Sequence, residues 1–323
     1  MNAEENRDRP LVAIADPIDP VCLDWLSQRC DCRGIESIDN ADALIVRTST
    51  VVDRALLESA PNLRVVGRAG VGVDHIDLKS CAARGIVVVH TPDANTDAVV
   101  EYVFAEVLSA LRSRPRVSAP MDSAAWELVR ERAVAPRQLR GLTLGVMGFG
   151  RIGSRVGAVG RAFGMEVVYH DLLDIPHEQR AGAQPVGLES LLSAADVLSI
   201  HVDGRASNRG LIGSAELSLC KAESTVINTS RGFVVDAEAL AAFLRENPGA
   251  CAICDVHEPE PIGSENPLLG LGNARLTPHI ASATAEAKRA MSWVVRDVWR
   301  VLNGEPPLHV AKTAPDARSL PAD

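Results

Sequence analysis

Gly148-Phe149-Gly150-Arg151-Ile152-Gly153 constrains this chain more than any other stretch, because it directly follows an apolar run, Leu142 to Met147, and opens a helix-like segment. A strand that turns through three spaced glycines into a helix begins a nucleotide-binding βαβ unit. The first glycine makes the turn, the second lets the backbone approach a pyrophosphate, and the third lets helix pack on strand. Phosphate then sits at the helix N-terminus, by Arg151 and Ile152, where unpaired N–H groups and the dipole favour anions. A second apolar strand, Glu166 to Tyr169, ends at His170-Asp171, and Asp171 follows Gly153 by 18 residues. A carboxylate there accepts hydrogen bonds from ribose hydroxyls and repels a 2′-phosphate, which favours NAD over NADP, a preference tempered by Arg151 in the loop.

With 323 residues the chain is long enough for two domains with sizeable cores, and 46% hydrophobic with 23% charged residues is ordinary for a soluble protein. The net charge of −9 argues against a nucleic-acid or anionic-membrane partner, so an anionic substrate must meet locally placed arginines. No stretch approaches a membrane span, and the acidic, polar start from Met1 to Arg7 is unlike a signal peptide; a cytoplasmic protein is expected. Seven cysteines, an odd number, suit a reducing compartment. Cys251 and Cys254 have C-x-x-C spacing but lie in a strand-like run, where side chains three apart point to opposite faces. They read as buried thiols, and no metal site is expected.

Short apolar runs, Leu11 to Ala15, Ala43 to Val46, Arg64 to Gly67 and Ile86 to Val89, predict the buried parallel strands of a first α/β unit. Asp97 to Leu111 has the spacing of a long helix, which ends in the proline-containing Arg112 to Pro120. Beyond the glycine loop, Val197 to Val202, Thr225 to Asn228, Ala250 to Val256 and Ala274 to Thr277 predict further strands, giving a doubly wound sheet. Ala285 to Leu302 predicts one more helix, returning to the first domain, and a disordered tail is expected from Lys312.

Three segments put polar residues at the ends of apolar strands: Asn228-Thr229-Ser230-Arg231-Gly232, Asp255 to Pro261, and Thr277-Pro278-His279-Ile280. In this order, after Gly-Phe-Gly-Arg-Ile-Gly, they resemble the D-isomer-specific 2-hydroxyacid dehydrogenases over nearly the whole chain. The resemblance implies an α/β fold of two doubly wound parallel-sheet domains. A flavodoxin-like substrate domain takes 1–98, completed by 285–323, and a Rossmann NAD-binding domain takes 99–284. It implies a homodimer, and assigns catalysis to Arg231, Glu260 and His279. It also places Asp255 at the nicotinamide carboxamide, with Thr229 and His201 among the cofactor residues beside Gly148, Gly150, Arg151, Ile152, Gly153 and Asp171. The chemistry agrees: a histidine titrating near neutrality takes the hydroxyl proton as hydride leaves C2, a carboxylate orients it and favours its charged form, and a planar guanidinium holds the substrate carboxylate. Taken singly, each has a commonplace reading as a surface ion-pair residue, a helix-entry residue or a solvated acid.

Arg47-Thr48-Ser49 and Arg68-Ala69-Gly70-Val71-Gly72 resemble the phosphoglycerate dehydrogenase branch. Backbone N–H groups of Gly70, Val71 and Gly72 are expected at the substrate carboxylate, with Arg47 and Arg68 on a distal phosphate. The commonplace reading pairs either arginine with a nearby acid such as Asp74 or Asp77, and Asn95 and Thr96 are expected near the cleft. His201-Val202-Asp203-Gly204-Arg205 departs from the family's His-x-Pro-Leu-Thr and changes the cofactor wall. The chain ends soon after the dehydrogenase core, so no regulatory domain is expected. Alternatives are hydroxypyruvate or glyoxylate reduction, a sugar-acid phosphate dehydrogenase, and, in another class, an NAD-sensing corepressor.

Overall fold

A computed structural model describes residues 9–112 and 114–312, and its contacts divide the chain after Asn95 and after Ser282. One unit takes the chain up to Asn95 and from Ala283 onward; the other is Thr96–Ser282.

The first unit begins with β1 (Leu11–Ile14), α1 (Pro20–Ser27), β2 (Asp31–Gly34), β3 (Ala43–Val46), α2 (Arg54–Glu58), β4 (Val65–Arg68), α3 (Leu78–Ala83) and β5 (Val87–His90). The strands pair in parallel in the order β2-β1-β3-β4-β5, the flavodoxin-like arrangement. Their apolar runs do not alternate with polar residues because both faces are covered. Leu44 and Val46 join a core with Leu57 and Cys81, whereas Ala43 and Ile45 join another with Leu26. The helices begin at aspartates whose carboxylates accept first-turn N–H groups: Asp19 before Pro20, then Asp53 and Asp77.

The second unit contains α4 (Thr96–Leu111), α5 (Ser123–Arg132), β6 (Thr143–Met147), α6 (Arg151–Ala162), β7 (Glu166–His170), β8 (Gln184–Pro185), α7 (Leu188–Ala194), β9 (Val197–Ile200), α8 (Ser214–Leu219), β10 (Thr225–Asn228), α9 (Ala237–Glu246), β11 (Cys251–Cys254) and β12 (Ala274–Leu276). The sheet order is β12-β11-β10-β9-β6-β7-β8, all parallel, so the order reverses between β6 and β9. That reversal is the switch point at which such sheets bind ligands. Met147 aligns with His170 and Ile200, Ile200 with Asn228, Asn228 with Cys254, and Cys254 with Leu276. Six strands therefore end in one line. Cys254 packs into the core on one face and Cys251 against the core on the other, as strand geometry requires.

The expected single helix from Ala285 to Leu302 is two, α10 (Ala285–Ser292) and α11 (Val295–Leu302). The chain tightens between them: the Trp293 amide is shared between the Arg289 and Ala290 carbonyls, and Val294 and Arg296 bond three residues back, to Met291 and Trp293. The Trp293 ring packs edge-on against Trp25, 6.1 Å away. Several predicted strands run a residue or two too long, because neighbours such as Ala250 and Val256 are buried without joining the ladder. β2 and β8 lie at sheet edges and lack the apolar run by which the other strands were read. α5 was missed because, capped by Asp122, it buries no residue and so carries no apolar stripe. The tail expected after Lys312 lies outside the described residues.

α11 closes one face of the first sheet. Val294, Val295, Val298 and Leu302 share a core with Val65, and Arg64 donates to the carbonyls of Val301 and Leu302 at 3.2 Å each. A Cβ on Gly67 would lie 2.4 Å from Val298 Cγ2, so a valine on the helix fills the hole left by a glycine in the strand. Gly67→Ala should cost about 1–3 kcal/mol by overpacking. Adding Val298→Ala should cost less than the two single losses together, as read by urea unfolding. Strictly additive losses would mean that α11 is not seated on β4.

Candidate active site

The three loop glycines divide the work as their spacing predicts. Gly148, at φ 85°, makes the turn, and a Cβ there would strike the His201 carbonyl at 2.8 Å. A Cβ on Gly153 would lie 2.0 Å from the Gly148 carbonyl oxygen, so the helix packs directly on the turn. A Cβ on Gly150 would meet nothing within 4 Å. This glycine faces open space at the start of α6, where no side chain caps the amides. An open backbone and uncapped N–H groups at Arg151, Ile152 and Gly153 fit a pyrophosphate.

Because the six strands end in line, the residues that follow them form a row: Gly148, Asp171, His201, Thr229, Asp255 and Thr277. The Asp171 carboxylate accepts the Phe149 amide at 2.6 Å and the Leu173 amide at 2.9 Å, which ties it to the glycine loop. His201 sets Nε2 2.7 Å from Ser199 Oγ and Nδ1 3.3 Å from Thr229 Oγ1. Burial pushes its pKa down to about 3, so the ring is neutral. After it, Asp203 grips Arg205 through both carboxylate oxygens, at 2.7 and 2.5 Å, and its backbone carbonyl accepts the Asn208 amide side chain. Burial would raise the Asp203 carboxyl, but Arg205, with help from the Arg231 charge, holds it below its ordinary value.

His279 and Glu260 meet directly, Nδ1 to Oε2, at 2.8 Å. The Glu260 Oε1 also accepts the His257 amide at 2.9 Å. Burial would raise this carboxyl, but the hydrogen bonds from His279 and His257 outweigh it and hold the group below the usual range. Glu260 therefore stays ionised through neutral pH and takes up a proton only as the pH falls through that depressed value. His279 has φ 56°, a left-handed backbone that non-glycine residues seldom adopt. Arg231 starts the short turn after β10: the Asn228 side chain donates to its carbonyl at 2.9 Å, and its own Nη1 donates to the Ser230 carbonyl at 2.7 Å.

Asp255 is buried, and its carboxylate accepts the Thr277 hydroxyl at 2.6 Å, the Ile280 amide at 2.8 Å and the Ala281 amide at 2.7 Å. That leaves about one acceptor position for a nicotinamide. Tyr102 closes the network with its hydroxyl 2.5 Å from Thr277 Oγ1. Sequence reasoning missed this tyrosine because it sits in a helix whose spacing marks it as core.

In the first unit, Arg68 turns inward. It is 7% exposed, donates to the carbonyls of Gly72 at 2.9 Å and Ala69 at 2.8 Å, and fills the space a Cβ on Gly70 would need. Asp77 is committed to the cap of α3. Arg47 is half-buried, its Nη1 3.4 Å from the Pro17 carbonyl, while its amide and the Ser49 hydroxyl bond Asp16. Gly70, Val71 and Gly72 follow β4 at the same sheet edge as Arg47. Asn95 ends this unit and Thr96 opens the next.

Residues 104–281 match the D-isomer specific 2-hydroxyacid dehydrogenase NAD-binding domain. The chain belongs to this family. It is 37% identical over 278 residues to the D-3-phosphoglycerate dehydrogenase of Methanocaldococcus jannaschii, across 84% of this chain and 52% of that protein. It is 36% identical over 306 residues to the glyoxylate reductase of Aeropyrum pernix, across 90% of this chain and 91% of that one. The crystal structure of an NADPH-dependent glyoxylate/hydroxypyruvate reductase from Sinorhizobium meliloti, in complex with NADP and malonate, superposes with a TM-score of 0.81. That pair is 30% identical, covering 94% of this chain and 97% of the other. The chain thus spans about half the length of the phosphoglycerate dehydrogenase it matches, and the second unit is the family's NAD-binding domain.

Gly150→Ala should leave the thermal midpoint near the parent value while weakening NADH binding, whereas Gly153→Ala should lower the midpoint. Equal NADH affinity in Gly150→Ala would remove the loop from the pyrophosphate site. Asp171→Ser should narrow the preference for NADH over NADPH, read as the ratio of the two dissociation constants. His201 yields a pH prediction. The unfolded ring takes up a proton below about 6.5 and the folded one only near 3, so stability present above pH 6.5 is lost as the pH falls between those values. His201→Gln should flatten that slope in urea unfolding at a series of pH values; an unchanged slope would mean that the folded ring is charged.

Proposed function

We propose that the chain transfers hydride between NAD(H) and a D-2-hydroxy acid or its 2-oxo acid, with 3-phosphoglycerate and phosphohydroxypyruvate as the substrate pair. The observation that carries the reaction type is the 2.8 Å His279–Glu260 pair beside the row of strand ends that begins at the glycine loop. When bound, NADH supplies the hydride. In the reductive direction His279 donates its proton to the oxygen at C2; in the oxidative direction it takes that proton back. Glu260 holds the ring at Nδ1, which leaves Nε2 to face the substrate, and stabilises the imidazolium. Arg231 supplies a planar pair of donors to the substrate carboxylate and 2-oxo oxygen. The amides of Gly70, Val71 and Gly72 and the guanidinium of Arg47 are assigned to the substrate's carboxylate and phosphate.

A second reading, reduction of glyoxylate or hydroxypyruvate, is favoured by one observation: Arg68 spends its donors on carbonyls of its own loop, which weakens the two-arginine clamp. The relative from Aeropyrum pernix agrees with that reading. The net charge of −9 suits a small-molecule enzyme without a nucleic-acid or membrane partner, and among the described residues no helix is long and apolar enough to cross a membrane. Seven free cysteines suit the cytoplasm. We assign a second copy as partner, with the exposed Trp126 and Leu128 of α5 as its contact surface.

NADH oxidation with phosphohydroxypyruvate, hydroxypyruvate, glyoxylate and 2-oxoglutarate tests the assignment. His279→Ala should lower turnover about 10²–10⁴-fold with NADH affinity nearly intact. Arg47→Ala should cost roughly tenfold or more in kcat/KM on phosphohydroxypyruvate relative to hydroxypyruvate, whereas Arg68→Ala should harm both alike. Indifference of the parent enzyme to the phosphate would select the second reading, and turnover of no substrate would leave the NAD-sensing alternative.

A further inference from the structure

His279 is held from behind by a chain of hydroxyl groups that starts on another element. The Thr277 hydroxyl donates to Asp255 Oδ1 at 2.6 Å, and the same oxygen accepts the Ile280 amide at 2.8 Å, while Oδ2 accepts the Ala281 amide at 2.7 Å. Asp255 also takes the His279 amide on its backbone carbonyl, at 2.8 Å. Three consecutive amides, those of His279, Ile280 and Ala281, thus hang from one residue, and they enclose the left-handed turn at His279. Thr277 has spent its proton on Asp255, so in the 2.5 Å contact with Tyr102 it must accept and the tyrosine must donate. The order is then Tyr102 to Thr277 to Asp255 to the amides around His279.

Tyr102 is placed to hold that order. It lies on α4, against the core on the face of the sheet that also buries Ile253 and Ala281. Seven residues further, two helical turns along the same face, Ser109 accepts Arg275 through its hydroxyl at 3.0 Å and its carbonyl at 3.1 Å. Arg275 and Thr277 are two apart and so share one side of the extended chain. α4 therefore grips the β12 segment at two points. Burial pushes the Tyr102 hydroxyl up to about 12, which keeps it a donor at any working pH.

We propose that Tyr102 and Thr277 are positioning residues for His279: their hydroxyl relay fixes the carboxylate of Asp255, and through it the turn that aims the imidazole. This inference rests on the reading of His279 as the proton donor.

Amide exchange in the cofactor-free protein and steady-state turnover test it together, on Tyr102→Phe, Thr277→Val, Thr277→Ser and the double variant Tyr102→Phe/Thr277→Val. Tyr102→Phe keeps the ring and removes one hydrogen bond. Exchange at Ile280 and Ala281 should rise about three- to tenfold, with exchange in β6 and β9 unchanged. On whichever of phosphohydroxypyruvate, hydroxypyruvate or glyoxylate the parent reduces, kcat should fall by a similar factor. Thr277→Val should lose more, Thr277→Ser should recover most of that loss, and the double variant should be no worse than Thr277→Val, because the tyrosine's acceptor is already gone. Parent-like exchange in Tyr102→Phe, losses that multiply in the double variant, or faster exchange throughout the sheet would each overturn the proposal. If His279→Ala keeps parental turnover while Tyr102→Phe still loosens Ile280 and Ala281, the reading of the site fails and the structural link stands. If His279→Ala is inactive and Tyr102→Phe changes nothing, the link alone fails.

Discussion

A carboxylate just past the end of one parallel strand, accepting N–H groups from the loop after the neighbouring strand, is the interaction on which the loops at the strand ends of both sheets depend. Asp16, two residues beyond β1, takes the amide of Arg47 beyond β3 at 2.5 Å. Asp171, one residue beyond β7, takes the amide of Phe149 beyond β6 at 2.6 Å. Asp255, one residue beyond β11, takes the amides of Ile280 and Ala281 beyond β12. Loops that leave a buried sheet carry amides with no ladder partner, and such groups cost free energy unless something accepts them. An ionised acid at the strand end satisfies two or three at once, and in doing so fixes the loop that bears the chemistry.

The same requirement explains why two histidines on one edge of the sheet meet different surroundings. His201 lies between two hydroxyls with no carboxylate bonded to its ring, and burial alone decides that it is neutral. His279 meets a carboxylate at 2.8 Å that also accepts a backbone amide, and those hydrogen bonds keep the acid ionised. The difference comes from one glutamate in the loop after β11.

What could be read from the sequence follows from the same physics. Ala43 to Val46 and Thr225 to Asn228 were legible to the residue because a strand buried on both faces must be apolar throughout. The glycine loop was legible in detail because close approaches at Gly148 and Gly153 exclude a side chain, while Gly150 leaves the backbone open. β2, with the sequence Asp-Cys-Arg-Gly, and α5, with no buried residue, were not legible, since neither shows the pattern by which burial announces itself. The break between α10 and α11 escaped because a tightened turn leaves apolar spacing almost unchanged. For the site, residue types and their order named Glu260 and His279, but only geometry shows Arg68 bonded to its own loop and Asp255 occupied by three donors.

Those last two cases share a cause. Arginine and aspartate are equally suited to a ligand and to the unpaired amides and carbonyls of a tight loop, and sequence cannot say which partner wins. Where the backbone turns sharply beside a buried strand end, as at Ala69-Gly70 and at His279-Ile280, the loop's own groups are already within reach and require no binding entropy. The side chain nearest the turn then serves the backbone.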